Sequence, residues 1–298
     1  MKLSKYFMFF ISSYLFFING CSQINNMDVK SSPFLSESPI NNNQLKVLSW
    51  NIKMLPAPYG WLLKRQERAE NIIQFLLNSD PYDVIFFQEA FSDKIRNKIF
   101  EGLKNIYPFQ VEPDDQVAFY RSNSGLWTIS QLPIKLKEQI TFSKFKDTDW
   151  MASKGAKLFS YNKGNKKFNL INTHMQSDYE KKYDLVRKYQ YLEIHDQLII
   201  PNDNLETPLI LIGDLNIENP KKLKKMLQKL NLKNGPLMGN IQHSLIDTGK
   251  KLADYILIKE GNSKFKSIKR RIIDFSINLK GKDLGFSDHY PIEAIIIW

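Results

Sequence analysis

The sequence predicts an α/β fold in which two β-sheets pack against each other and helices cover their outer faces. Three observations support this prediction. Short apolar runs typical of buried strands recur from residue 45 to the end of the chain. They are mixed with segments in which apolar residues recur three or four positions apart, as on one face of a helix. These strands and helices fall roughly into two halves.

The first 20 residues predict a secretory signal that is not part of the fold. Lys2 and Lys5 precede an apolar run over residues 6–18, and Gly20 follows it. A basic start, a short apolar core and a small residue before the cleavage point are the layout of a signal peptide. A transmembrane anchor is the alternative, but the apolar run is shorter than a bilayer needs.

Cys21 directly follows this signal and is the only cysteine of the chain. It resembles the lipidated cysteine of a bacterial lipoprotein, so we expect an exported protein that is anchored at the outer membrane or cell surface, or secreted. Residues 21–44 are rich in Ser, Asn and Pro and predict a flexible tether. Residues 45–298 have a length that suits one large domain, which would depend on its core and not on disulfides.

The chain is basic, with a formal net charge of +11. Such an excess favours binding to polyanions or to anionic lipid headgroups through long-range attraction. The lysines are scattered, with denser groups at residues 221–225 and 269–271. A well-solvated surface explains these groups equally, so the charge alone does not identify a partner.

The first half of the domain predicts strands and helices in alternation. Residues 45–51 and 83–88 are apolar enough for buried strands. Between them, residues 62–77 have apolar positions at helical spacing, and Asp80-Pro81 ends that helix. Residues 92–106 predict a second helix.

The middle of the chain predicts short strands joined by turns. We expect strands at residues 117–121, 125–130, 134–142, 157–162 and 167–172. The dipeptide Gly164-Asn165 lies between the last two strands, which favours a hairpin.

The last part of the chain mixes helices and strands again. Residues 179–200 predict a long amphipathic helix, and residues 220–230 predict another whose first turn contains Pro220. The remaining predicted strands are residues 208–212, 253–258, 265–273 and 290–297.

Five apolar, strand-like runs are bounded by polar residues that can bind a metal or a phosphate. These residues are Asn51, Gln88-Glu89, His174, Asp214 with Asn216, and Asp288-His289. Asp214 and Asn216 follow a strand two positions apart, so we expect both side chains on one face. A carboxylate at the end of a buried strand, such as Glu89, is costly unless a cation or a donor satisfies it. Phosphodiester hydrolysis needs both a hard cation and donors, because the phosphate oxygens repel a nucleophile.

In this order, the five motifs resemble those of the endonuclease/exonuclease/phosphatase superfamily, the metal-dependent phosphodiesterases with a DNase I-like fold. The resemblance covers residues 45–298 and implies a four-layer αββα sandwich of two mixed sheets flanked by helices. Further motifs look most like those of the neutral sphingomyelinases, of the sphingomyelinase C type. They are residues 53–56, 124–126, 130–134, 153–156 and 173–176.

The resemblance also implies a metal site and a nucleophile. Glu89 and Asn51 would hold Mg²⁺, with Mn²⁺ or Co²⁺ as alternatives, although Asn51 could instead direct its amide NH₂ toward phosphate. Asp214 would position or deprotonate the attacking water, and Asn216 would contact the phosphate.

The same resemblance implies roles for two histidines. His289 would act as general acid or base, with Asp288 orienting its ring. His174 would donate a hydrogen bond to the phosphoryl oxygen. Asp254 would support the site, although the start of a core strand explains this residue nearly as well.

Lys154 and Gly155 bear on the substrate class, because an ammonium group beside a glycine lets side chain and backbone approach one phosphate together. An ordinary hairpin turn explains the pair about as well. Tyr59 and Trp61 could form an aromatic tip that enters a lipid interface, or Trp61 could pack under the following helix. Residues 277–285 lack the aromatic hairpin that secreted bacterial sphingomyelinases commonly carry, which argues against attack on intact bilayers.

The sequence therefore predicts an exported metal-dependent phosphodiesterase that hydrolyses sphingomyelin to phosphocholine and ceramide. Its partner would be a sphingomyelin-like phospholipid at a membrane surface, and no obligate protein partner is evident. A surface nuclease acting on DNA or RNA is the first alternative, which the basic charge allows. A non-catalytic lipoprotein that binds lipid or nucleic acid is the second, and the complete set of polar motifs argues against it.

Overall fold

The structure is a computed structural model that describes residues 42–56, 60, 63–113, 121–177, 182–246, 251–262, 264–273 and 285–298. The predicted signal, Cys21, most of the tether, Tyr59 and Trp61 lie outside these residues. Residues 277–284 also lie outside them, as does the strand predicted at residues 117–121 apart from Arg121. Within the described part, no helix combines the length and the apolar character that crossing a membrane requires.

The larger sheet has seven strands, and the first and last strands of the domain lie together at its centre. In order across the sheet, the strands are β3 (Phe109–Val111), β4 (Trp127–Ser130), β2 (Val84–Gln88), β1 (Gln44–Asn51), β12 (Ile292–Ile297), β11 (Ser267–Ile272) and β9 (Leu237–Met238). β1 runs parallel to β2, with Asn51 opposite Gln88, and antiparallel to β12. The indole of Trp50 donates to the carbonyl of His289 at 3.0 Å, so the segment before β12 lies against the end of β1.

The smaller sheet has five strands and brings the ends of three of them together. In order, they are β10 (Asp254–Lys259), β8 (Leu209–Asp214), β7 (Lys166–His174), β6 (Gly155–Lys163) and β5 (Ile134–Thr141). β7 is parallel to β8 with His174 opposite Asp214, and β10 is antiparallel with Asp254 opposite Asp214. Gly164 has a φ of +57° in the predicted hairpin turn between β6 and β7.

Helices cover the outer face of each sheet. Helices α1 (Arg65–Leu77) and α2 (Asp93–Leu103) pack on the larger sheet, in a cluster that includes Trp50 and Phe87. Helices α3 (Asp184–Ile194) and α4 (Pro220–Leu230) pack on the smaller sheet, in a cluster that includes Leu211 and Tyr255. The side chain of Asn219 caps α4 by accepting a hydrogen bond from Lys221 N at 2.9 Å.

A third apolar cluster fills the space between the sheets, which confirms the predicted four-layer αββα sandwich. It includes Val47, Phe86, Phe159, Ile210, Ile256 and Ile296. Alternate residues of each strand face this core, and at one end of it the apolar residues give way to polar ones. The polar residues that continue the inward faces are Asn51, Gln88, Asn172, Asp214 and Asp254, all of them buried. A polar site therefore lies at one end of the space between the sheets.

The structure differs from the predicted elements at two very short strands and within one long helix. β3 and β9 have only three and two residues, too few for a periodic pattern. In the described part of the helix predicted at residues 179–200, which begins at residue 182, α-helical turns are confined to α3, because a π-helical turn replaces them over His195–Ile199.

Candidate active site

Asn51 connects the two sheets at the centre of the site. Its Nδ2 atom lies 3.0 Å from Glu89 Oε1 and 3.0 Å from Asp214 Oδ2, so each amide hydrogen reaches one carboxylate. Its Oδ1 atom accepts a hydrogen bond from the backbone N–H of Lys53 at 3.1 Å. The predicted roles of Asn51, an amide oxygen toward a metal or an amide NH₂ toward phosphate, stay predictions. In this structure its NH₂ group holds two carboxylates in place.

His289 forms a buried pair with Asp254, and not with its sequence neighbour Asp288. The Nδ1 atom of His289 lies 2.8 Å from Asp254 Oδ2, and its Nε2 atom lies 3.9 Å from Asp214 Oδ2. Burial by itself disfavours the imidazolium, but Asp254 and Asp214 outweigh it and raise the pKa of His289 to about 10. His289 is therefore an imidazolium at neutral pH, and Asp254 orients its ring.

Asp288 has a different partner from the one expected. Its carboxylate forms an ion pair with Lys53, at 2.5 Å between Nζ and Oδ2. Burial acts against ionisation, but His289 and Lys53 prevail and lower the pKa of Asp288. The expectation that Asp288 orients His289 is wrong, because Lys53 holds the Asp288 carboxylate while Asp254 takes Nδ1 of His289.

Asp214 is a buried carboxyl group surrounded by donors. Besides Asn51, it accepts a hydrogen bond at Oδ1 from the backbone N–H of Asn216 at 3.1 Å. Burial and the nearby Asp254 raise the pKa of Asp214 to about 7. A carboxyl group with this pKa can accept a proton near neutral pH.

Asn216 lies beside Asp214 for a reason other than strand periodicity. β8 ends at Asp214, and Asn216 has a left-handed backbone with a φ of +51°. Its Nδ2 atom donates to the carbonyl of Met175 at 3.2 Å. A turn, and not an extended strand, therefore places Asn216 at the edge of the site.

Lys154 is buried and holds three groups together. Its Nζ atom lies 2.8 Å from Asp149 Oδ2, 3.0 Å from His174 Nε2 and 3.3 Å from the carbonyl of Met175. An ammonium group can only donate, so Nε2 of His174 accepts. His174 was expected to donate to a phosphoryl oxygen, but its Nε2 faces Lys154 in this arrangement.

Burial of His174, together with Lys154 and His289, lowers the pKa of its imidazole well below the usual 6.5. Its Nδ1 atom is buried and has no hydrogen-bond partner among the residues that the structure describes. His174 is therefore neutral, and the positive charge on this side of the site belongs to Lys154.

β-sheet packing requires a glycine at position 155. Gly155 starts β6, and a Cβ atom built on it would lie 1.9 Å from the carbonyl oxygen of Ile140 in β5. The predicted binding of a phosphate by Lys154 and Gly155 stays a prediction. Lys154 reaches the site, whereas Gly155 is needed because β5 lies so close.

Glu89 is the carboxylate best placed to hold a cation. It has a left-handed backbone with a φ of +54°, and its side chain is 21% exposed. Burial and the nearby Asp288 raise the pKa of Glu89, so its surroundings disfavour the ionised carboxylate. A divalent cation would relieve this cost, and oxygen ligands suit a hard ion. The chemistry of the site therefore fits a divalent metal.

A second group also has the spacing of a metal site. Ligand atoms of Asp214, Asp254 and His289 lie within 4.8 Å of one another. The short contact between Asp254 and Nδ1 of His289 already satisfies both atoms, however, and Glu89 reaches solvent. We therefore favour Glu89, with Asp214 nearby, as the cation-binding side of the site.

Sequence reasoning missed Asp149 and gave Lys53 no role in the site. Asp149 lies in a short 3₁₀ turn over Asp147–Met151 and has no motif around it. Lys53 follows Asn51 by two positions, and its left-handed backbone, with a φ of +47°, turns it toward Asp288. Only its place in residues 53–56, which resemble sphingomyelinase motifs, singled it out.

Comparisons with known proteins identify the family and support the fold. The model of the Endonuclease/Exonuclease/phosphatase family matches residues 48–289. Sphingomyelinase C 2 of Leptospira interrogans is 31% identical over 294 residues, which cover 86% of this chain but only 46% of that protein. Phospholipase C of Staphylococcus aureus is 26% identical over 302 residues, which cover 87% of this chain and 89% of that one. The crystal structure of an S. aureus beta toxin mutant with bound magnesium ions has a TM-score of 0.69 at 23% identity, covering 84% of this chain and 99% of the toxin.

Proposed function

The chain belongs to the endonuclease/exonuclease/phosphatase family, and on that premise we propose that it is a phosphodiesterase that hydrolyses sphingomyelin to phosphocholine and ceramide. One observation carries the proposal. Asn51 ties Glu89 to Asp214, and the Asp254–His289 pair faces the same Asp214 carboxylate. The similarity to a sphingomyelinase C and a phospholipase C supports the choice of a phospholipid substrate.

Asp214 and His289 have the properties of a base and an acid. Asp214, with a pKa of about 7, would accept a proton from the water whose oxygen forms the new bond to phosphorus. His289, protonated at neutral pH, would give a proton from Nε2 to the ceramide oxygen as its bond to phosphorus breaks. Asp254 would stabilise the imidazolium and keep its ring in place.

Lys154 and Asn216 would bind the substrate phosphate. Lys154 is held by Asp149 and His174, so its ammonium is fixed before substrate arrives. Glu89 would hold Mg²⁺, with Mn²⁺ or Co²⁺ as alternatives. When bound, the ion would offset the negative charge of the phosphate oxygens.

We also propose a cellular location, which is based on the sequence. Residues 1–20 would direct export, and lipidation at Cys21 would anchor the catalytic domain at residues 45–298 through the tether at residues 21–44. The protein would then act at the outer membrane or cell surface, or as a secreted protein. Mass spectrometry of the mature N-terminus would test this part separately.

A paired assay tests the substrate. The purified protein is given Mg²⁺ with sphingomyelin in detergent micelles and, separately, with plasmid and single-stranded DNA. We expect release of phosphocholine without DNA cleavage, and loss of that release in Asp214→Asn and His289→Gln. Cleavage of DNA without phosphocholine release would replace the proposal with a nuclease. No activity on any of these substrates would favour a non-catalytic binding protein.

A further inference from the structure

α3 and α4 carry exposed side chains on both sides of a shared groove, and the proposed reaction does not use them. We call this surface the α3–α4 face. It is made of Leu185, Lys188, Tyr189, Lys221, Lys224 and Lys225. A groove between the two helices is lined in part by Leu185, Lys188 and Lys225, so the two helices share one surface.

Two apolar side chains project from α3 into solvent. Leu185 is 61% exposed and Tyr189 is 46% exposed. They are four positions apart and therefore neighbours on one side of the helix. Single exposed apolar residues need no explanation, but two neighbours on one helix face form a small patch that can enter an apolar environment.

The surroundings of this patch are basic. α4 contains five lysines and no acidic residue, while its buried residues Met226 and Leu230 face the sheet. The two acidic residues of α3 are already engaged. Asp184 forms ion pairs with Arg187 and Lys222, and Glu193 accepts a hydrogen bond from Ser143 N at 3.1 Å. Asp184 thus offsets Arg187 and Lys222, which are not part of the α3–α4 face. Glu193 keeps its charge because its partner is neutral, so the lysines of the face, Lys188, Lys221, Lys224 and Lys225, outnumber this one carboxylate.

The α3–α4 face adjoins the segments that build the site. Arg187 donates to the carbonyl of Gln176 at 3.2 Å, and Gln190 accepts from the backbone N–H of Gln176 at 2.8 Å. Gln176 lies two residues after His174. α4 begins at Pro220, four residues after Asn216. Whatever binds the α3–α4 face is therefore brought close to the loops that would hold a substrate.

We propose that the α3–α4 face docks onto membranes that contain anionic phospholipids. Lysines flanking exposed apolar side chains match such a membrane, because the lysines attract lipid phosphates while Leu185 and Tyr189 enter the interface. A nucleic acid would use the lysines and could stack on Tyr189, but it gives the exposed leucine no role. The inference deepens the proposed function and rests on it, since it supplies the contact that presents a lipid substrate.

The first test asks whether vesicle binding depends on the lysines of the α3–α4 face or only on the net charge of the protein. Binding of the purified protein to vesicles of phosphatidylcholine and sphingomyelin, with or without phosphatidylserine, is measured by co-sedimentation. The variant Lys221→Glu/Lys224→Glu/Lys225→Glu is compared with Lys135→Glu/Lys167→Glu/Lys264→Glu, which changes the net charge equally on other surfaces. We expect phosphatidylserine to strengthen binding, and the α4 variant to weaken it by about 100-fold, since each lysine near an anionic surface contributes roughly a factor of five. The control variant should weaken it by less than about fivefold.

The second test addresses the apolar patch. Leu185→Ser/Tyr189→Ser is compared with Leu205→Ser/Phe109→Ser, whose parent side chains are 63% and 38% exposed elsewhere. We expect the α3 variant to lose the part of vesicle binding that survives high salt, because salt screens the lysines but not apolar contacts. The control variant should retain it.

The outcomes separate this inference from the proposed function. Activity on sphingomyelin in detergent micelles should be unchanged in the α4 variant, because docking is not needed there. Equal loss of vesicle binding in the α4 variant and its control would overturn the inference, even if micelle activity persists. Binding of duplex DNA that exceeds vesicle binding and is lost in the α4 variant would replace it with nucleic-acid docking. Failure of micelle activity in the unmodified protein would instead count against the proposed function.

Discussion

Asp254 Oδ2 lies 2.8 Å from His289 Nδ1, although 35 residues separate them in the chain. Asp254 starts β10 and His289 precedes β12, so the contact joins the smaller sheet to the larger one. The pair is buried, and Nε2 of His289 is left facing Asp214. The acid and the base of the proposed reaction are therefore fixed by the packing of the two sheets.

Replacing Asp254 should change the alkaline limit of activity. Asp254 is the strongest of the groups that raise the pKa of His289, and Asp288 is the weakest. In Asp254→Asn, we expect the alkaline limb of the pH–rate profile to move to lower pH and kcat to fall by about 10²- to 10⁴-fold. Asp288→Asn should move that limb less. A larger shift in Asp288→Asn would contradict the assigned partner of His289.

The unmodified protein should have a bell-shaped pH–rate profile. Asp214 must be ionised to accept a proton, so activity should fall as the pH drops below about 7. His289 must be protonated to donate one, so activity should also fall above about 10. Phosphocholine release across this range gives both limbs. An activity that does not fall at any pH below 7 would exclude Asp214 as the base, since a bound cation can move this limb to lower pH but cannot remove it.

The same histidine should link folding stability to pH. The folded protein holds a proton on His289 up to about pH 10, whereas the unfolded chain releases it near 6.5. The stabilisation is therefore complete below 6.5 and is lost as the pH rises through 10. Urea unfolding without metal should show a free-energy difference between the unmodified protein and His289→Gln that shrinks over this interval. A difference that grows with pH would have the wrong sign.

Removing the charge of Glu89 should weaken metal binding. Gln in place of Glu89 can still accept a hydrogen bond from Asn51, so the local structure should remain. We expect Glu89→Gln to weaken Mg²⁺ binding, measured by calorimetry, by about 10-fold or more, because a carboxylate ligand becomes a neutral amide. Glu70→Gln, on the exposed surface of α1, should bind Mg²⁺ normally. Equal affinity in both variants would remove Glu89 from the metal site.

Arg68 should be essential for the shape of the site, although it is not expected to touch substrate. This buried residue of α1 donates to the carbonyls of Phe286 at 2.6 Å, Ile52 at 2.5 Å and Lys53 at 3.2 Å. Arg68→Met leaves these carbonyls unpaired, so we expect the free energy of unfolding to fall by about 3 kcal/mol or more. Lys98→Met, which removes an exposed ion pair with Glu70, should cost less than about 1 kcal/mol. Urea unfolding of both variants measures the difference, and similar values would show that Arg68 contributes little.

Most of the fold could be predicted from local patterns in the sequence. The strands at residues 45–51, 83–88 and 208–212 agree with β1, β2 and β8 within two residues at each end, because buried strands have continuous apolar runs. Polar residues at their ends marked where a site would form. The two shortest strands could not be predicted, because two or three residues have no periodicity.

The details of the site depended on contacts that no local pattern contains. The partner of His289 is set by the register between sheets, and Asn216 is placed by a left-handed turn after β8. Gly155 is explained by the approach of β5, and Lys154 by its contact with Asp149. Sequence neighbours such as Asp288 and His289 suggest a pair, yet Asp288 binds Lys53 and His289 binds Asp254.

The sequence by itself determined the layers of this protein and the residue types at the end of its core, because periodicity and side-chain chemistry are properties of short segments. The tertiary structure alone decided which carboxylate orients His289, which residues hold Lys154, and which lysines share a surface with exposed apolar side chains. These are distances between segments far apart in the chain, and they exist only once both sheets and their helices have packed.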